Sequence, residues 1–213
     1  MNRCQLFNQT VLQMCGQGAS GPQLPPEYQL VNYLQSSGTQ YLNIGAMGNH
    51  QYFDINFEWV SWVSNSASSY GLNGLLGIND YTGSGTNDVK VWLKNTNAVS
   101  GIIGSTAIGS ASITSGTRYS LYFSNMQFKL DGQDYTTATG SAISGTPDCY
   151  LFAVHNRTTA GTWGTSAVKI YRLKTSSIEI YPCIRISDSK PGMYDIINDT
   201  FYTNQGSGTF TTG

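Results

Sequence analysis

The sequence is short of charge. Only 11% of its 213 residues are Asp, Glu, Lys or Arg, whereas an average globular protein has roughly 25%. The 11 basic and 12 acidic residues leave a formal net charge of -1, and no run of basic residues occurs. Nucleic-acid binding depends on clustered Lys and Arg that neutralise phosphates. We therefore expect no nucleic-acid partner.

Long apolar segments are also lacking. No stretch approaches the ~20 apolar residues of a membrane span. The N-terminal sequence MNRCQLFNQTVLQMCGQGASG is interrupted by Asn8-Gln9-Thr10, so it does not supply the apolar core of a secretory signal. The sequence therefore predicts synthesis in a cytoplasm and no membrane association.

The four cysteines include no CxxC pair and no cluster with His50 or His155, so we expect no zinc site. Cys149 begins the run CYLFAV and Cys183 follows IEIYP. Both are expected to be buried thiols, which behave as small apolar side chains. The alternative is a Cys149–Cys183 disulfide, but such bonds are rare in proteins that are not exported.

Aromatic residues are plentiful, with 14 Tyr, 8 Phe and 4 Trp. The run HQYFDINFEWVSWV alternates apolar and polar residues, which is the period of a half-buried strand. Further strands are predicted at EYQLVNYL, TQYLNIG, DVKVWLK, RYSLYFS, MQFKLDG, CYLFAVH, SAVKIYRLK and SIEIYPCIRI. Asp131-Gly132 is a hairpin turn, since Gly tolerates the positive φ that the turn requires. Many short strands at regular spacing predict an all-β sandwich, jelly roll or barrel.

Residues 1–23 differ from the rest and are predicted to form an N-terminal arm. Near-helical spacing relates five apolar residues, which are Leu6, Phe7, Val11, Leu12 and Met14. So short a helix is marginal in water by itself, so the arm either folds back on its own domain or anchors the chain in a partner. GQGASG fits the dinucleotide pattern GxGxxG, but Pro22 and a linker follow it instead of a helix, which indicates flexible chain.

The end of the chain resembles the ending of a concanavalin A-like module found in bacteriophage and gut-bacterial surface proteins, a family similar to the laminin-G and pentraxin sandwiches. The matching residues are Lys169-Ile170-Tyr171, Pro182-Cys183, Gly192, Tyr194-Asp195, Phe201-Tyr202, Asn204, Gly206, Gly208 and Phe210. The start of the module resembles LPPEYQLVNYLQSSGTQYLNIG, so the resemblance brackets residues 24–213. It implies a two-sheet antiparallel jelly roll whose first and last segments lie together.

In that fold the closing hairpin is expected to complete the sheet. Tyr194, Ile196, Phe201 and Phe210 would seal the core, and Asn198-Asp199 would form the turn. We interpret this segment as a structural latch.

Three regions are candidates for function. In the loop HNRTTAGTWGTS, Trp163 would stack on a sugar while Asn156 and Arg157 donate hydrogen bonds; the alternative is that Trp163 caps the sandwich edge. In NDYTGSGTND, Asp80, Asn87 and Asp88 offer oxygen ligands for calcium, although ordinary turns have the same composition.

The third region is the polar face of the strand at 50–63, formed by Asp54, Asn56 and Glu58. A retaining glycosidase needs two carboxyl groups ~5–5.5 Å apart. Residues four apart on a strand are separated by ~13 Å, so we interpret these residues as a solvated polar face. No catalytic residue is predicted.

Two functions follow as predictions. The first is a non-enzymatic bacteriophage virion protein (a decoration, fibre or tail-associated subunit) that docks by its arm, assembles as an oligomer with other virion proteins and displays a lectin-like domain for glycans. The second is a carbohydrate-binding module of a bacterial surface protein. An endoglycanase is a distant third. The family resemblance implies the virion location.

Overall fold

The computed structural model describes residues 21–61, 72–79, 88–94, 97–156, 161–163 and 166–213. Apart from a 3-10 turn at Met47–Asn49, the regular elements of these ranges are all β-strands. None of the described segments forms a helix long and apolar enough to cross a membrane. The predicted arm lies outside the described residues except for residues 21–23, and so do its five apolar anchor residues.

The described strands fall into nineteen elements. In chain order they are β1 (Tyr28–Leu30), β2 (Leu34–Ser36), β3 (Leu42–Ala46), β4 (Tyr52–Ser61), β5 (Leu72–Asn79), β6 (Val89–Lys94), β7 (Ala98–Ile103), β8 (Thr106–Ser112), β9 (Arg118–Ser124), β10 (Phe128–Leu130), β11 (Gln133–Asp134), β12 (Asp148–Leu151), β13 (Val154–Asn156), β14 (Gly161–Trp163), β15 (Ala167–Thr175), β16 (Glu179–Arg185), β17 (Lys190–Asp195), β18 (Thr200–Thr203) and β19 (Thr211–Thr212).

The strands form two sheets that pack face to face as a β-sandwich. Sheet A has the order β11-β10-β9-β4-β15-β16-β17-β18, with β1 paired to β16 and β2 paired to both β15 and β19. Sheet B has the order β14-β13-β5-β6-β7-β8, with β12 paired to both β5 and β3. Each described ladder is antiparallel except that of β13 with β5, which is parallel. The predicted all-β, two-sheet sandwich is confirmed, and its finer jelly-roll connectivity stays a prediction.

Strand β4 shows how the sequence pattern builds the core. Phe53, Ile55 and Phe57 are fully buried, whereas the intervening Asp54 and Glu58 are only partly buried on the opposite face. On the facing sheet, β6 contributes the buried Val89, Val91 and Leu93. The predicted period-two pattern of β4 is therefore confirmed, and its polar face becomes the outer face of sheet A.

Two glycines of sheet B face aromatic rings of sheet A. A Cβ atom added to Gly101 of β7 would lie 2.4 Å from the Phe123 ring, and one added to Gly109 of β8 would lie 2.6 Å from Cβ of Phe128. Phe123 and Phe128 belong to β9 and β10 of sheet A and pack edge to face, with ring centroids 6.2 Å apart. These glycines therefore make room for two aromatic rings between the sheets.

The closing hairpin was predicted correctly in position but only partly in its packing. Asp199 adopts a φ of 50° in the turn between β17 and β18, as expected for an Asn-Asp turn. Phe210 is buried in the core and its ring lies 4.8 Å from that of Phe152. The prediction for Ile196 is wrong, because this side chain lies in the turn and is 38% exposed.

The other two predicted sealing residues lie outside the inter-sheet core. Tyr194 and Phe201 are cross-strand neighbours, and both rings pack against Tyr28 of β1, at centroid distances of 4.5 and 5.1 Å. Met193, the neighbour of Tyr194 in β17, is the residue that enters the core. Tyr194 is itself buried, at 4% exposed, but the alternation along β17 places it on the face opposite to Met193, where it packs with Tyr28 and Phe201.

The first and last segments lie together, as the resemblance implied. β19 pairs with β2 through Thr211 and Thr212, and the backbone N–H of Asn32 donates to the carbonyl of Gly213. Cys149 and Cys183 are free and buried, as predicted for thiols, and they do not form the alternative disulfide.

Candidate functional site

Three stacked rings lie at one end of sheet B. The ring centroids of Tyr41 and Tyr150 are 4.5 Å apart, those of Tyr150 and His155 are 4.2 Å apart, and both pairs are nearly parallel. Two rings at such distances cannot share one face of Tyr150, so Tyr150 is the middle ring. Asn43 and Asp148 adjoin the stack, joined by a 2.8 Å hydrogen bond from the Asn43 amide to the carboxylate. We call these five partly buried residues the aromatic patch.

The hydrogen bonds of the aromatic patch fix its donors and acceptors. Nδ1 of His155 lies 2.8 Å from the carbonyl of Asp148 and must carry the proton that it donates. Nε2 of the neutral ring is then an acceptor. Partial burial, helped by the neighbouring Tyr41 and Asp148, raises the pKa of Tyr150. Its phenol therefore stays protonated and able to donate at neutral pH.

Strand register places the aromatic patch on the outer face of sheet B. Tyr150 of β12 is opposite Asn43 of β3 on one side and Gly77 of β5 on the other. Gly77 is in turn opposite Lys90 of β6. Directly opposed residues share a face of a sheet. Gly77 has a φ of +121°, and a Cβ there would lie 2.0 Å from the carbonyl oxygen of Val89. Only glycine fits this position between Tyr150 and Lys90.

The predicted sugar-binding loop begins beside the aromatic patch. Asn156 directly follows His155 in β13, and its backbone pairs with those of Asn79 in β5 and Gly161 in β14. Trp163 ends β14 opposite Val154. Arg157 and the side chains of Asn156 and Trp163 lie outside the described residues, so their role in sugar binding stays a prediction.

The predicted calcium loop connects β5 to β6, so it starts and ends at the same end of these two paired strands. Of its three candidate ligands, Asp80 and Asn87 lie outside the described residues and Asp88 is described. The Lys90 ammonium lies 2.6 Å from the Asp88 carboxylate and 2.5 Å from Oδ1 of Asn79, and all three side chains are buried. A positive charge therefore already lies where Asp88 would face a cation.

The same ammonium lies 4.5 Å from the centre of the Trp92 ring, a cation–π contact. Among the described residues, no group of three or more His, Cys, Asp or Glu side chains is arranged to hold a metal ion. The calcium site stays a prediction that depends on the remaining residues of the loop.

The carboxylates of β4 are bound to basic residues on the outer face of sheet A. Glu58 accepts from Nζ of Lys169 at 2.8 Å and from the hydroxyl of Tyr171 at 2.6 Å, and Asp54 accepts from Arg172 at 3.2 Å. Partial burial acts to raise the pKa of Glu58, but the bonds from Lys169 and Tyr171 outweigh it and lower the pKa. A glycosidase acid needs a raised pKa, and this arrangement stabilises the anion.

His50 is buried and holds together the turn between β15 and β16. Its Nδ1 lies 3.0 Å from the hydroxyls of both Thr175 and Ser177, and its Nε2 lies 3.2 Å from the carbonyl of Ile44. Burial lowers the pKa of His50, despite the opposing effect of the Ile44 carbonyl. Both ring nitrogens of His50 therefore have hydrogen-bond partners in the interior.

Sequence reasoning found the loop beside the aromatic patch but missed the patch itself. Tyr41 and Tyr150 belong to two different predicted strands and are 109 positions apart in the numbering. Nothing in the sequence indicated that these two strands lie side by side. The available signal was the alternation in CYLFAVH, which places Tyr150 on the face opposite Cys149 and Leu151.

In comparisons with known proteins, no family model matches the sequence and no curated protein matches it.

Proposed function

We propose that the chain is a non-enzymatic, lectin-like β-sandwich displayed on the surface of a bacteriophage particle, where its aromatic patch binds glycans. The observation that carries the glycan part is the partly exposed stack of Tyr41, Tyr150 and His155, bordered by Asn43 and Asp148. Sugars present both C–H faces, which pack on rings, and hydroxyls, which need fixed polar partners. Binding sites commonly combine an apolar surface with a few such polar groups.

The aromatic patch is suited to binding because its groups are held in place before a ligand arrives. Each ring is fixed by its neighbour, and His155 is oriented by the Asp148 carbonyl. Preorganised groups lose less conformational freedom on binding. The outer ring faces of Tyr41 and His155, Nε2 of His155 and the Asp148 carboxylate are the groups that a sugar would contact.

The virion part of the proposal depends on the resemblance of residues 24–213 and on the apolar arm at residues 1–23. The sandwich supports it by supplying a separate unit that begins directly after the arm. A carbohydrate-binding module of a bacterial surface protein would use the same aromatic patch without needing the arm for assembly.

A glycan array with the full chain tests the glycan part. A saccharide that binds is then titrated against wild type, Tyr150→Ala and Tyr52→Ala. Tyr52 also stacks on another tyrosine, Tyr122, at 5.7 Å, but belongs to sheet A. We expect Tyr150→Ala to weaken binding at least tenfold and Tyr52→Ala to leave it unchanged. Equal loss in both variants, or no bound glycan on the array, would refute the assignment.

The virion part is tested separately by replacing the five apolar residues of the arm with serine in the full chain. The measurement is incorporation of the protein into particles that contain the neighbouring virion proteins. Loss of incorporation with unchanged glycan binding is expected. Unchanged incorporation would contradict docking by the arm and would favour the module of a bacterial surface protein.

A further inference from the structure

A row of polar side chains crosses five strands on the outer face of sheet A. Its members, opposed strand by strand from β9 to β19, are Arg118, Glu58, Lys169, Gln35 and Thr211. Adjacent strands are ~4.8 Å apart, so the row extends for about 19 Å. It therefore has the length of a short oligosaccharide and lies on the side of the sandwich opposite to the aromatic patch.

Arg118 differs from the other basic residues near this row. Lys169 donates to Glu58, Arg172 donates to Asp54 and Glu179, and Lys174 pairs with Glu179. The exposed Arg118 instead has its guanidinium 4.0 Å from the centre of the Tyr171 ring, and no described residue accepts a hydrogen bond from its side chain. Its planar set of donors is free to bind a ligand.

The neighbours of Arg118 orient it without neutralising it. Glu58 faces Arg118 across the strands, yet the hydrogen bonds that it accepts come from Lys169 and from the Tyr171 hydroxyl. Burial, followed by the effects of Glu58, raises the pKa of Tyr171 to about 12, so Tyr171 remains neutral and keeps its bond to Glu58. The ring that supports Arg118 is thereby fixed, and two cations face one carboxylate.

The chemistry around this charge favours a sugar acid over other anions. Arginine binds a carboxylate through two parallel hydrogen bonds. Glu58 and Lys169 of the row pair with each other. The row and its border also carry neutral groups that match sugar hydroxyls, namely the amides of Gln35 and Asn56 and the hydroxyls of Ser120 and Thr211. An acidic peptide carries several charges, and among the described residues of the row Arg118 is the one cation that has no ion pair.

We propose that the outer face of sheet A binds a carboxylate-bearing saccharide, with Arg118 as the residue that holds the carboxylate and selects for it. Tyr171 is a positioning residue that supports the guanidinium. The site does not depend on the aromatic patch, so either site can fail its test while the other stands.

The test is calorimetric titration of the full chain with trimers of galacturonic acid, glucuronic acid and sialic acid. Each acid is compared with its methyl ester. The variants are Arg118→Lys, which keeps the charge but loses the paired donors, and Arg185→Gln as a matched control. Arg185 also lies over an aromatic ring, 5.0 Å from that of Phe201, but pairs with Asp188.

We expect at least one acid to bind ten times more tightly than its ester, and Arg118→Lys to remove that preference. Arg185→Gln should retain it. Absence of binding by all three acids, equal affinity for acid and ester, or an unchanged preference in Arg118→Lys would each overturn the proposal. So would equal binding of a glutamate tripeptide, which would indicate a general anion site.

Discussion

The ion-paired cluster around Glu179 predicts how the sandwich loses stability in acid. The Glu179 carboxylate accepts from the Tyr181 hydroxyl at 2.7 Å, from Lys174 at 2.9 Å and from Nε of Arg172 at 3.0 Å. Partial burial acts to raise its pKa, but the three hydrogen bonds and the charge of Arg172 outweigh burial and lower the pKa to about 2. Replacing Glu179 with Gln removes this charge while keeping the shape of the side chain.

The direction and the size of the change in unfolding free energy with pH follow from the folded and unfolded pKa values of Glu179. The ordinary value is 4.5 and the folded value is about 2, so between them the unfolded chain binds more protons. The contribution to stability is complete above pH 4.5 and is lost as the pH falls towards 2. At 1.36 kcal/mol per pKa unit the difference is worth about 3 kcal/mol at most, and about 2 kcal/mol once solvent screening is allowed for.

Urea unfolding followed by tryptophan fluorescence measures this contribution at pH 7, 4.5, 3.5 and 2.5. We expect Glu179→Gln to lower the unfolding free energy by about 2 kcal/mol at pH 7, and that difference from wild type to shrink steadily below pH 4.5. Glu27→Gln, which removes an exposed carboxylate, is the control and should follow wild type. A difference that stays constant from pH 7 to 2.5, or no difference at pH 7, would refute the reasoning.

Three further predictions concern the interior. Gly101→Val should lower the unfolding free energy measured in urea by about 2–3 kcal/mol, because the new side chain would overlap the Phe123 ring; a variant as stable as wild type would contradict the close approach of the sheets. Because burial lowers the pKa of His50 from 6.5, stability should fall as the pH drops below 6.5, and His50→Gln should show less of this fall; identical pH profiles would count against it. Burial raises the pKa of Cys149, and raises that of Cys183 to about 12, so mass mapping after thiol labelling should find both unmodified until denaturant is added; rapid labelling of either in the native protein would be inconsistent with their burial.

The sequence was most informative where strands alternate strictly. β4 and β9 were predicted because large apolar residues recur at every second position, and each has one face in the core. In β15 the same alternation is interrupted between Ile170 and Arg172, where the register shifts. β5, β7 and β8 were not predicted. AVSGII and TAIGSAS are rich in Gly, Ala and Ser, and LNGLLGIN contains two glycines and does not alternate apolar with polar residues. Gly101 and Gly109 are there because aromatic rings of the facing sheet need the space. That requirement arises from tertiary packing and leaves no local pattern.

The candidate sites were less predictable than the fold for a related reason. The Tyr41–Tyr150 stack and the Arg118–Tyr171 contact each join strands far apart in sequence. From the sequence alone, a tyrosine on the outer face of a strand cannot be distinguished from any other polar position, because the neighbouring strand and its side chains are not known. The predicted loop residues, such as Trp163, were selected from the composition of the loop. Composition indicates where a loop lies in the sequence, but it does not indicate which side chains surround that loop in the fold.

The pairing of β2 with β19 has a consequence for the time at which the protein can fold. Leu34 and Gln35 pair with Thr212 and Thr211, which follow them by 178 and 176 positions in the numbering. Contacts so distant along the chain slow folding. Until β19 reaches β2, one edge of β2 stays open, and open edges of this kind invite pairing with other chains. The folding sandwich is therefore exposed to aggregation at this edge during the slow step that brings the two strands together.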